Sequence, residues 1–477
     1  MTTRHDHWIG GAAVPPVSGT YLSTFVPTTR TAGDGIAAGS APDVDRAVAA
    51  ARAAQPIWAA RSAAERADAL AAVADAVATD AEALVELERT TTGKTVAQAR
   101  TEVDTSIAYL RYYAGVVRSH HGRTIDLGAG AHAYTRREPY GVVAIITPWN
   151  LPLNQTCRAV APALAVGNAV VTKPSEFTSL STLLLARIAS AAGLPDGLLS
   201  VVTGTGPDVG EPLVAHPDVR RIAFTGSVAT GRRLAHVAAD RLVPLTLELG
   251  GKSPVVVFAD ADLDRAAVAA ASAASMNAGQ VCSATTRIVV EESAHDDLVA
   301  RVVAILERLR PGVDLGPIIT QAQFEKVRDH LARARAAGLV PVTGGDVYAD
   351  GPGARGQYVQ PTLFARVDPA LPIARDEVFG PVLVTLPFPD GDEAAAVAVA
   401  NDTEFGLVGS VWSGDLARGL RVAERIDAGQ VAVNGGPLTV ETPFGGVKQS
   451  GYGREKGLEA MDDYSWTKTV SLGLGGS

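Results

Sequence analysis

The sequence predicts an α/β fold that contains a parallel sheet. From Gly141 onwards, short apolar runs rich in β-branched residues alternate with helical patterns, and this alternation is typical of βαβ units. Polar or small residues directly follow several of these runs, at the strand ends where parallel sheets bind their ligands. The 477 residues are enough for about three lobes of typical domain size. We therefore expect a functional site at the carboxyl ends of the strands.

The composition excludes several classes of function. Charged residues make up 19% of the chain and the net charge is −9, which argues against nucleic acid or an anionic membrane as the main partner. No apolar run approaches the roughly 20 residues of a membrane span, and the first residues are polar, unlike a signal sequence. The two cysteines, Cys157 and Cys282, fit a reducing compartment. We expect a cytoplasmic protein without a membrane segment.

The first third of the chain is predicted to be mostly helical. A strand or turn region ends near Ile36. Apolar residues at spacings of three and four then predict helices over 44–60, 63–88 and, with an interruption, 91–115. His120 and His121 mark a break, and residues 131–137 alternate as a strand. Adjacent histidines cannot chelate a metal as an i, i+4 helical pair can, and the other histidines are scattered, so no metal site is expected.

Strands and helices alternate in the rest of the chain. The predicted strands are 142–146, 169–173, 199–203, 222–225, 245–249, 254–258 and 431–434. The predicted helices are one that ends near 165, then 179–192, a short one after 203, 228–239 and 263–277. The last residues, 466–472, alternate as a strand, and an exposed terminal strand is prone to pair with another chain.

The best candidate for a phosphate site lies where a strand meets a helix. Phe224 and Thr225 end the strand, and Gly226 and Ser227 lead into the helix, whose free backbone N–H groups favour an anion. The Gly204-Thr205-Gly206 run resembles a dinucleotide fingerprint but lacks its third glycine, because Val209 occupies that position.

Three segment ends carry residues suited to acyl transfer. Cys282 lies between a Gly-Gln step and small hydroxyl residues, where a thiol is accessible; the alternative is a buried cysteine that acts as a small hydrophobic residue. Glu248 stands among leucines, and apolar surroundings raise a carboxyl pKa towards the range of a general base. Asn150 follows an apolar strand in a proline-bracketed turn, where its amide can donate to an oxyanion.

At these motifs the chain resembles the aldehyde dehydrogenase superfamily, from residues 8–11 to 443–451 and in the family's order. The resemblance implies an aldehyde dehydrogenase-like fold in three parts. These are a Rossmann-type cofactor domain (1–121 and 140–250), an α/β catalytic domain (251–445), and a small β oligomerisation module with a C-terminal return segment (122–139 and 446–477). Because the strands 131–137 and 466–472 match that module, we expect a homodimer or homotetramer.

The resemblance also implies NAD as the cofactor, with NADP less favoured. Lys173 and Glu176 match residues that bind the adenine ribose, and Glu176 would repel a 2′-phosphate; the alternative is an ordinary surface ion pair. Glu377 matches a residue that holds the nicotinamide ribose, and Phe379 one that packs on the nicotinamide. The predicted cofactor set is Ile146, Thr147, Pro148, Trp149, Lys173, Ser175, Glu176, Gly206, Phe224, Gly226, Ser227, Leu249, Glu377 and Phe379.

In the implied reaction, Cys282 attacks an aldehyde and Asn150, with the Cys282 backbone N–H, holds the oxyanion. Hydride transfer leaves a thioester, and Glu248 activates the water that hydrolyses it. Glu248 favours a free acid as product, since members that transfer the acyl group to coenzyme A generally lack it. A cofactor-independent cysteine hydrolase is one alternative, but it normally needs a histidine base, which these motifs lack. A non-catalytic binding member of the fold is another, but it would usually have lost the cysteine or the base.

The predicted substrate tunnel is polar. Its residues are Leu151, Asn154, Gln155, Arg158, Val281, Ser283 and Leu438. An arginine matching Arg158 occurs in members that oxidise carboxylated semialdehydes, where a guanidinium can clamp the distal carboxylate. It also occurs in members that act on aromatic aldehydes. The alternative is an arginine that turns away from the tunnel to pair with a neighbouring acid.

Overall fold

The N-terminal region forms short strands followed by four helices in the computed structural model, which describes residues 3–474. The ends of the predicted first and last segments, residues 1–2 and 475–477, lie outside the described residues. The strands are β1 (Arg4–His5), β2 (His7–Ile9), β3 (Ala12–Val14), β4 (Tyr21–Val26) and β5 (Thr31–Ala37). The helices are α1 (Ala41–Ala59), α2 (Ala63–Thr79), α3 (Ala81–Thr92) and α4 (Val96–Val116).

The middle region alternates strands and helices as predicted. Its strands are β6 (Thr124–Asp126), β7 (Ala131–Pro139), β8 (Val142–Ile146), β9 (Ala169–Lys173), β10 (Leu199–Val201), β11 (Val219–Thr225) and β12 (Leu245–Glu248). Its helices are α5 (Pro152–Ala165), α6 (Leu180–Ala191), α7 (Glu211–Ala215) and α8 (Val228–Arg241).

The last region contains the second set of strands. They are β13 (Pro254–Val257), β14 (Arg287–Glu291), β15 (Thr362–Phe364), β16 (Val382–Phe388), β17 (Phe405–Gly406), β18 (Val408–Trp412), β19 (Gln430–Val433), β20 (Val447–Lys448), β21 (Gly451–Tyr452) and β22 (Ser465–Gly473). Its helices are α9 (Leu263–Ser275), α10 (His295–Leu306), α11 (Gln321–Ala336), α12 (Gly351–Arg355), α13 (Pro372–Arg375), α14 (Glu393–Asn401), α15 (Leu416–Ala423) and α16 (Glu459–Asp463).

The predicted helix over 63–88 is two helices in the structure. Helix α2 ends at Thr79, and Asp80, with φ −94° and ψ 15°, separates it from α3. Aspartate competes with the helical backbone for hydrogen bonds and is therefore favoured at helix ends. The periodicity continues across the break because both helices place apolar residues in the same core.

The largest sheet has a parallel centre, which confirms the α/β fold class. Its order is β21-β12-β11-β8-β9-β10-β2-β3, and the five strands from β12 to β10 run parallel. A second sheet is parallel throughout, with the order β15-β16-β14-β13-β18-β19. Strands β22, β7 and β6 form a separate antiparallel sheet.

The connections between the sheets bear on the predicted domains. Strand β22 pairs with β7 along its whole length, and both belong to the predicted oligomerisation module. Strand β21 instead pairs with β12 in the largest sheet, so the predicted return segment contributes to the cofactor domain. The domain boundaries and the role of the module in assembly stay predictions. Among the described residues, no helix has both the length and the apolar character needed to cross a bilayer.

Helix α8 packs closely on the end of β12 at a glycine. A Cβ atom built on Gly231 would lie 2.8 Å from Leu249 Cδ2, which is closer than carbon atoms pack. The missing side chain at Gly231 therefore lets the start of α8 approach the strand that carries Glu248. This approach fixes the relation between the predicted phosphate site and the predicted base.

We expect Gly231→Ala to lower the midpoint of urea unfolding, because overpacking at a tight contact typically costs about 1–3 kcal/mol. Gly115→Ala is the matched control, since Gly115 lies in α4 with open space around its Cβ position. This control should raise stability by up to about 1 kcal/mol, because alanine favours the helix. Equal effects of the two substitutions would contradict the proposed close approach.

Candidate active site

One pocket brings together the three residues predicted for acyl transfer. Cys282, Glu248 and Asn150 all line it, although they follow three different segments of the chain. The other lining residues are Pro148, Trp149, Gln155, Thr225, Gly226, Ser227, Leu249, Gly250, Gln323, Lys326, Glu377 and Phe379. The pocket lies at the carboxyl ends of β8, β11 and β12 and beside the turn that precedes β14, so it opens where the two large sheets meet.

The thiol of Cys282 lies in a turn of unusual backbone conformation. The turn is entered through Asn277 and Ala278, whose φ angles are 49° and 51°. Cys282 is partly exposed, whereas Cys157 is buried. The Cys282 side chain packs against an apolar cluster of Leu407, Val408 and Phe444. Burial raises the pKa of the Cys282 thiol to about 11, against the opposing positive charge of Arg158. The thiolate is therefore a minor species at neutral pH.

The side chain of Asn150 is tied directly to the turn that carries the thiol. Asn150 Nδ2 donates to the carbonyl oxygen of Gln280 at 2.9 Å, and Asn277 Nδ2 donates to the carbonyl oxygen of Asn150 at 2.9 Å. One N–H of the Asn150 amide is used in this way, which leaves the second for a ligand. The arrangement suits an oxyanion donor, because the amide is buried and already oriented.

The carboxylate of Glu248 is buried without a hydrogen-bond partner among the described residues. Burial, together with the negative charge of Glu455, raises the pKa of Glu248 well above its ordinary value. A Cβ atom at Gly445 would lie 2.7 Å from Glu248 Oε1, so this glycine leaves the space that the carboxylate occupies. Glu248 thus has the environment expected of a general base that works near neutral pH.

Arg158 lies behind the pocket and pairs with Glu455. The guanidinium contacts the Glu455 carboxylate, and the two side chains are only 4% and 3% exposed. The guanidinium also lies 4.8 Å from the centre of the Phe444 ring, which belongs to the apolar cluster beside Cys282. Arg158 does not line the pocket, so the structure agrees with the alternative of an arginine paired with a neighbouring acid. Glu455 could not be identified from the sequence as this partner, because it belongs to no motif that indicates the pairing.

The other end of the pocket is the start of helix α8. Ser227 is the N-cap of this helix, and its hydroxyl accepts a hydrogen bond from the Thr230 backbone N–H at 3.3 Å. Thr225, Gly226 and Ser227 line the same pocket as Cys282. The helix start presents backbone N–H groups and a positive dipole end, which together favour a phosphate.

Glu377 and Phe379 lie between these two ends. Glu377 Oε1 accepts a hydrogen bond from the Gly251 backbone N–H at 2.9 Å. Phe379 meets Trp149 edge to face, with ring centres 5.4 Å apart. The Gln323 side chain donates to the carbonyl of Phe379 at 3.0 Å and so supports its left-handed φ of 54°.

Lys173 and Glu176 form an ion pair at the end of β9. Their nitrogen and oxygen atoms are 3.2 Å apart, and the side chains are 5% and 29% exposed. Burial lowers the pKa of Lys173, against the opposing charge of Glu176. The pair is therefore not the ordinary exposed ion pair considered as the alternative, because its lysine is almost fully buried.

Some predicted residues lie outside the pocket. Those that do not line it are Ile146, Thr147, Lys173, Ser175, Glu176, Gly206, Phe224, Leu151, Asn154, Arg158, Val281, Ser283 and Leu438. The sequence analysis missed Gln323 and Lys326, which do line it. They lie three residues apart on α11 and so share one helix face, but nothing in the sequence indicates that this face meets the pocket. The described residues contain no group of three or more potential metal ligands.

Comparisons with known proteins agree with this geometry. The sequence model of the aldehyde dehydrogenase family matches residues 14–470. The chain belongs to the aldehyde dehydrogenase family. Among solved structures, the chain is similar to an NAD-dependent aldehyde dehydrogenase from Sinorhizobium meliloti, with 40% identity, a TM-score of 0.96, and coverage of 100% of this chain and 96% of that chain.

Two further aldehyde dehydrogenases of similar structure contain NAD+. One is the betaine aldehyde dehydrogenase from Staphylococcus aureus, with 32% identity, a TM-score of 0.96, and coverage of 99% of this chain and 95% of that chain. The other is the indole-3-acetaldehyde dehydrogenase AldA from P. syringae, in complex with NAD+ and IAA. It shows 34% identity, a TM-score of 0.96, and coverage of 99% of this chain and 97% of that chain.

The raised thiol pKa predicts how this aldehyde dehydrogenase reacts with iodoacetamide. Because only the thiolate is alkylated, the rate at Cys282 should rise about tenfold per pH unit from pH 7 to pH 10. Mass spectrometry of the cofactor-free protein follows the reaction. Cys282→Ser is the control and should remain unlabelled, since Cys157 is buried. A rate that is already constant above pH 8 would contradict the assigned pKa of about 11.

Proposed function

We propose that this aldehyde dehydrogenase oxidises an aldehyde to the free carboxylic acid with NAD. The observation that carries the proposal is the single pocket that joins a thiol, a buried carboxylate and an amide donor to the start of helix α8. A thiol and a phosphate-binding helix start in one pocket are what covalent catalysis with a dinucleotide requires. The NAD+ in two of the similar structures supports the same cofactor here.

The residues present fit NAD. Gly226 and Ser227 at the start of α8 would hold the pyrophosphate, and Glu377 the nicotinamide ribose. Lys173 and Glu176 would bind the adenine ribose, where the carboxylate of Glu176 disfavours a 2′-phosphate and hence NADP. Bound NAD supplies the acceptor for the hydride that leaves the substrate carbon.

Cys282 performs the first step. The thiol gives its proton to solvent and the resulting thiolate attacks the aldehyde carbon. A C–S bond forms, and the carbonyl electron pair moves onto oxygen to give a thiohemiacetal anion. The second N–H of the Asn150 amide and the backbone N–H of Cys282 hold this oxyanion. Loss of hydride from the same carbon restores the carbonyl and leaves a thioester on Cys282.

Glu248 performs the second step. Its carboxylate takes a proton from a water molecule, and the resulting hydroxide attacks the thioester carbon. The C–S bond then breaks, the carboxylic acid is released and Cys282 regains its thiolate. A carboxyl group whose pKa is raised by burial accepts this proton more readily than an exposed one, because its charged form is destabilised.

We propose an uncharged aldehyde, such as an aromatic one, in preference to a carboxylated semialdehyde. Among the described residues, the side-chain carboxylate in contact with Arg158 is that of Glu455, and this buried partner already balances the positive charge that a substrate carboxylate would need. Indole-3-acetaldehyde, after which the similar AldA enzyme is named, is an uncharged aromatic aldehyde and is consistent with this choice. We also propose a cytoplasmic homodimer or homotetramer that assembles through the β22 and β7 module.

The test of the function is formation of NADH from an aldehyde, followed at 340 nm. We expect a higher kcat/KM with phenylacetaldehyde than with succinic semialdehyde, and a higher value with NAD than with NADP. Cys282→Ala should abolish turnover while it leaves NAD affinity nearly intact. The absence of NADH with every aldehyde would reject the dehydrogenase and favour a hydrolase or a binding protein. A preference for succinic semialdehyde would reject only the uncharged substrate.

Glu248→Gln should separate the two steps. We expect a burst of NADH equal to the enzyme concentration, followed by a slow steady state, because the thioester forms but its hydrolysis lacks the base. Stopped-flow absorbance measures both phases. Glu248→Asp is the conservative control and should retain more of the steady-state rate. Loss of the burst in the glutamine variant would show that Glu248 also serves the first step.

A further inference from the structure

A buried cluster of three charged side chains lies beneath the turn that carries Asn150. Lys94 contacts the carboxylate of Glu102, and its Nζ atom lies 3.4 Å from Glu88 Oε2. The side chains of Lys94, Glu88 and Glu102 are 1%, 0% and 2% exposed. None of the three lines the pocket that contains Cys282, and the reaction steps described above do not use them.

Each member of this cluster makes a hydrogen bond to the same short stretch of backbone. Lys94 Nζ donates to the carbonyl oxygen of Asn150 at 3.3 Å. Glu88 Oε1 accepts from the Leu153 backbone N–H at 3.3 Å, and Glu102 Oε1 accepts from the Asn154 backbone N–H at 3.2 Å. The cluster therefore holds the turn at 150–154 from one side.

The two carboxylates also act on the helix that follows. Leu153 and Asn154 lie in the first turn of α5, where backbone N–H groups have no partner within the helix. The N-cap residue, Leu151, provides no side-chain cap. The carboxyl oxygens of Glu88 and Glu102 replace it as acceptors, and the negative charge of Glu102 is favourable at this end of the helix. The start of α5, and with it Asn150, is thereby fixed in place.

The cost of this arrangement points to a functional role. Taking three ionisable groups out of water costs several kcal/mol per ion, and apolar residues of similar size often serve stability equally well. Apolar side chains cannot, however, donate to the carbonyl of Asn150. Within residues 3–474, the only other side chain that donates to this carbonyl is Asn277, from the turn that carries the thiol.

We propose that Lys94 is a positioning residue for catalysis, which with Glu88 and Glu102 orients the Asn150 amide towards the oxyanion formed at Cys282. The inference rests on the proposed function, because it assigns Lys94 an effect only through the oxyanion donor. Burial, with the charge of Glu102, raises the pKa of Glu88 to about 8. At pH 7 Glu88 is therefore mostly protonated, and Lys94 and Glu102 balance each other.

A double-mutant cycle between Lys94 and Asn150 tests the proposal. Lys94→Met keeps the length of the side chain and removes its donor, and Asn150→Ala removes the oxyanion donor. We expect each single variant to lower kcat by roughly 10²-fold, the usual effect of one lost oxyanion donor. In the Asn150→Ala background, Lys94→Met should change kcat by less than about twofold, because residues that act through each other are not additive. The Kd for NAD should stay unchanged throughout.

The outcomes distinguish the proposal from the function on which it rests. Multiplied losses in the double variant, or a Lys94→Met variant with normal kcat, would overturn the positioning role while the dehydrogenase reaction stands. A wild type that forms no NADH would overturn the function and the inference together. A normal kcat in Asn150→Ala would show that Asn150 is not the oxyanion donor, which would contradict both the proposed mechanism and the positioning role of Lys94.

A second variant covers the case in which Lys94→Met does not fold. Lys94→Met combined with Glu102→Gln removes both partners of the closest ion pair together, so neither is left as an unpaired buried charge. The same cycle against Asn150→Ala is then run with this neutral pair, and circular dichroism checks the fold. We again expect a kcat loss that disappears in the Asn150→Ala background, and losses that multiply would again overturn the role.

Discussion

The hydrogen bond from the Asn150 amide to the carbonyl of Gln280 is the contact on which the site depends. Asn150 follows β8 of the largest sheet, whereas Gln280 precedes β14 of the second sheet, so this bond crosses from one sheet to the other. Gln280 is fully buried and its side chain is itself held: Nε2 donates to the carbonyls of Asn277 and Pro317, and Oε1 accepts from the Ile319 backbone. These three hydrogen bonds fix Gln280 in place. Its backbone carbonyl therefore defines where the Asn150 amide can lie, and the thiol of Cys282 follows two residues later.

The proposed reaction requires a buried carboxylate, and a nearby positive charge reduces the energetic cost of burying it. Glu248 alone would be costly in its apolar position, and the nearby Glu455 adds a second carboxylate. Arg158 compensates Glu455 and reduces the pKa of Cys282 relative to what burial alone would give. Since removal of one partner from a buried pair is strongly destabilising, these residues depend on one another. The positive charge of Arg158 thus lowers the pKa of Cys282 and of Glu248, although the arginine does not line the pocket.

The sequence predicted those parts of the site that lie at the ends of regular elements. Glu248 ends a buried strand and Ser227 follows one, and the apolar pattern and flanking glycines of these strands can be recognised locally in the sequence. The carboxyl ends of neighbouring parallel strands meet at one edge of the sheet, so the two residues are predicted to lie close together. The partner of Arg158 could not be predicted in this way, because Glu455 lies almost 300 residues further along the chain. Lys94 was missed for the same reason: only the packing of α3 and α4 against α5 brings it under Asn150. At Asp80 the apolar periodicity predicts one continuous helix, but the preference of aspartate for helix ends divides it into α2 and α3.

Residues 447–473 pair with three sheets in turn. Strand β20 pairs with β17, β21 with β12, and β22 with β7, and Glu455 lies between the last two. This segment follows every other described strand along the chain, so β12 keeps a free edge, and the site lacks Glu455, until the segment docks. Such long-range closure slows folding, and a free strand edge is prone to aggregate. Docking of this one segment therefore covers the edge of β12 and supplies the partner of Arg158 in the same step.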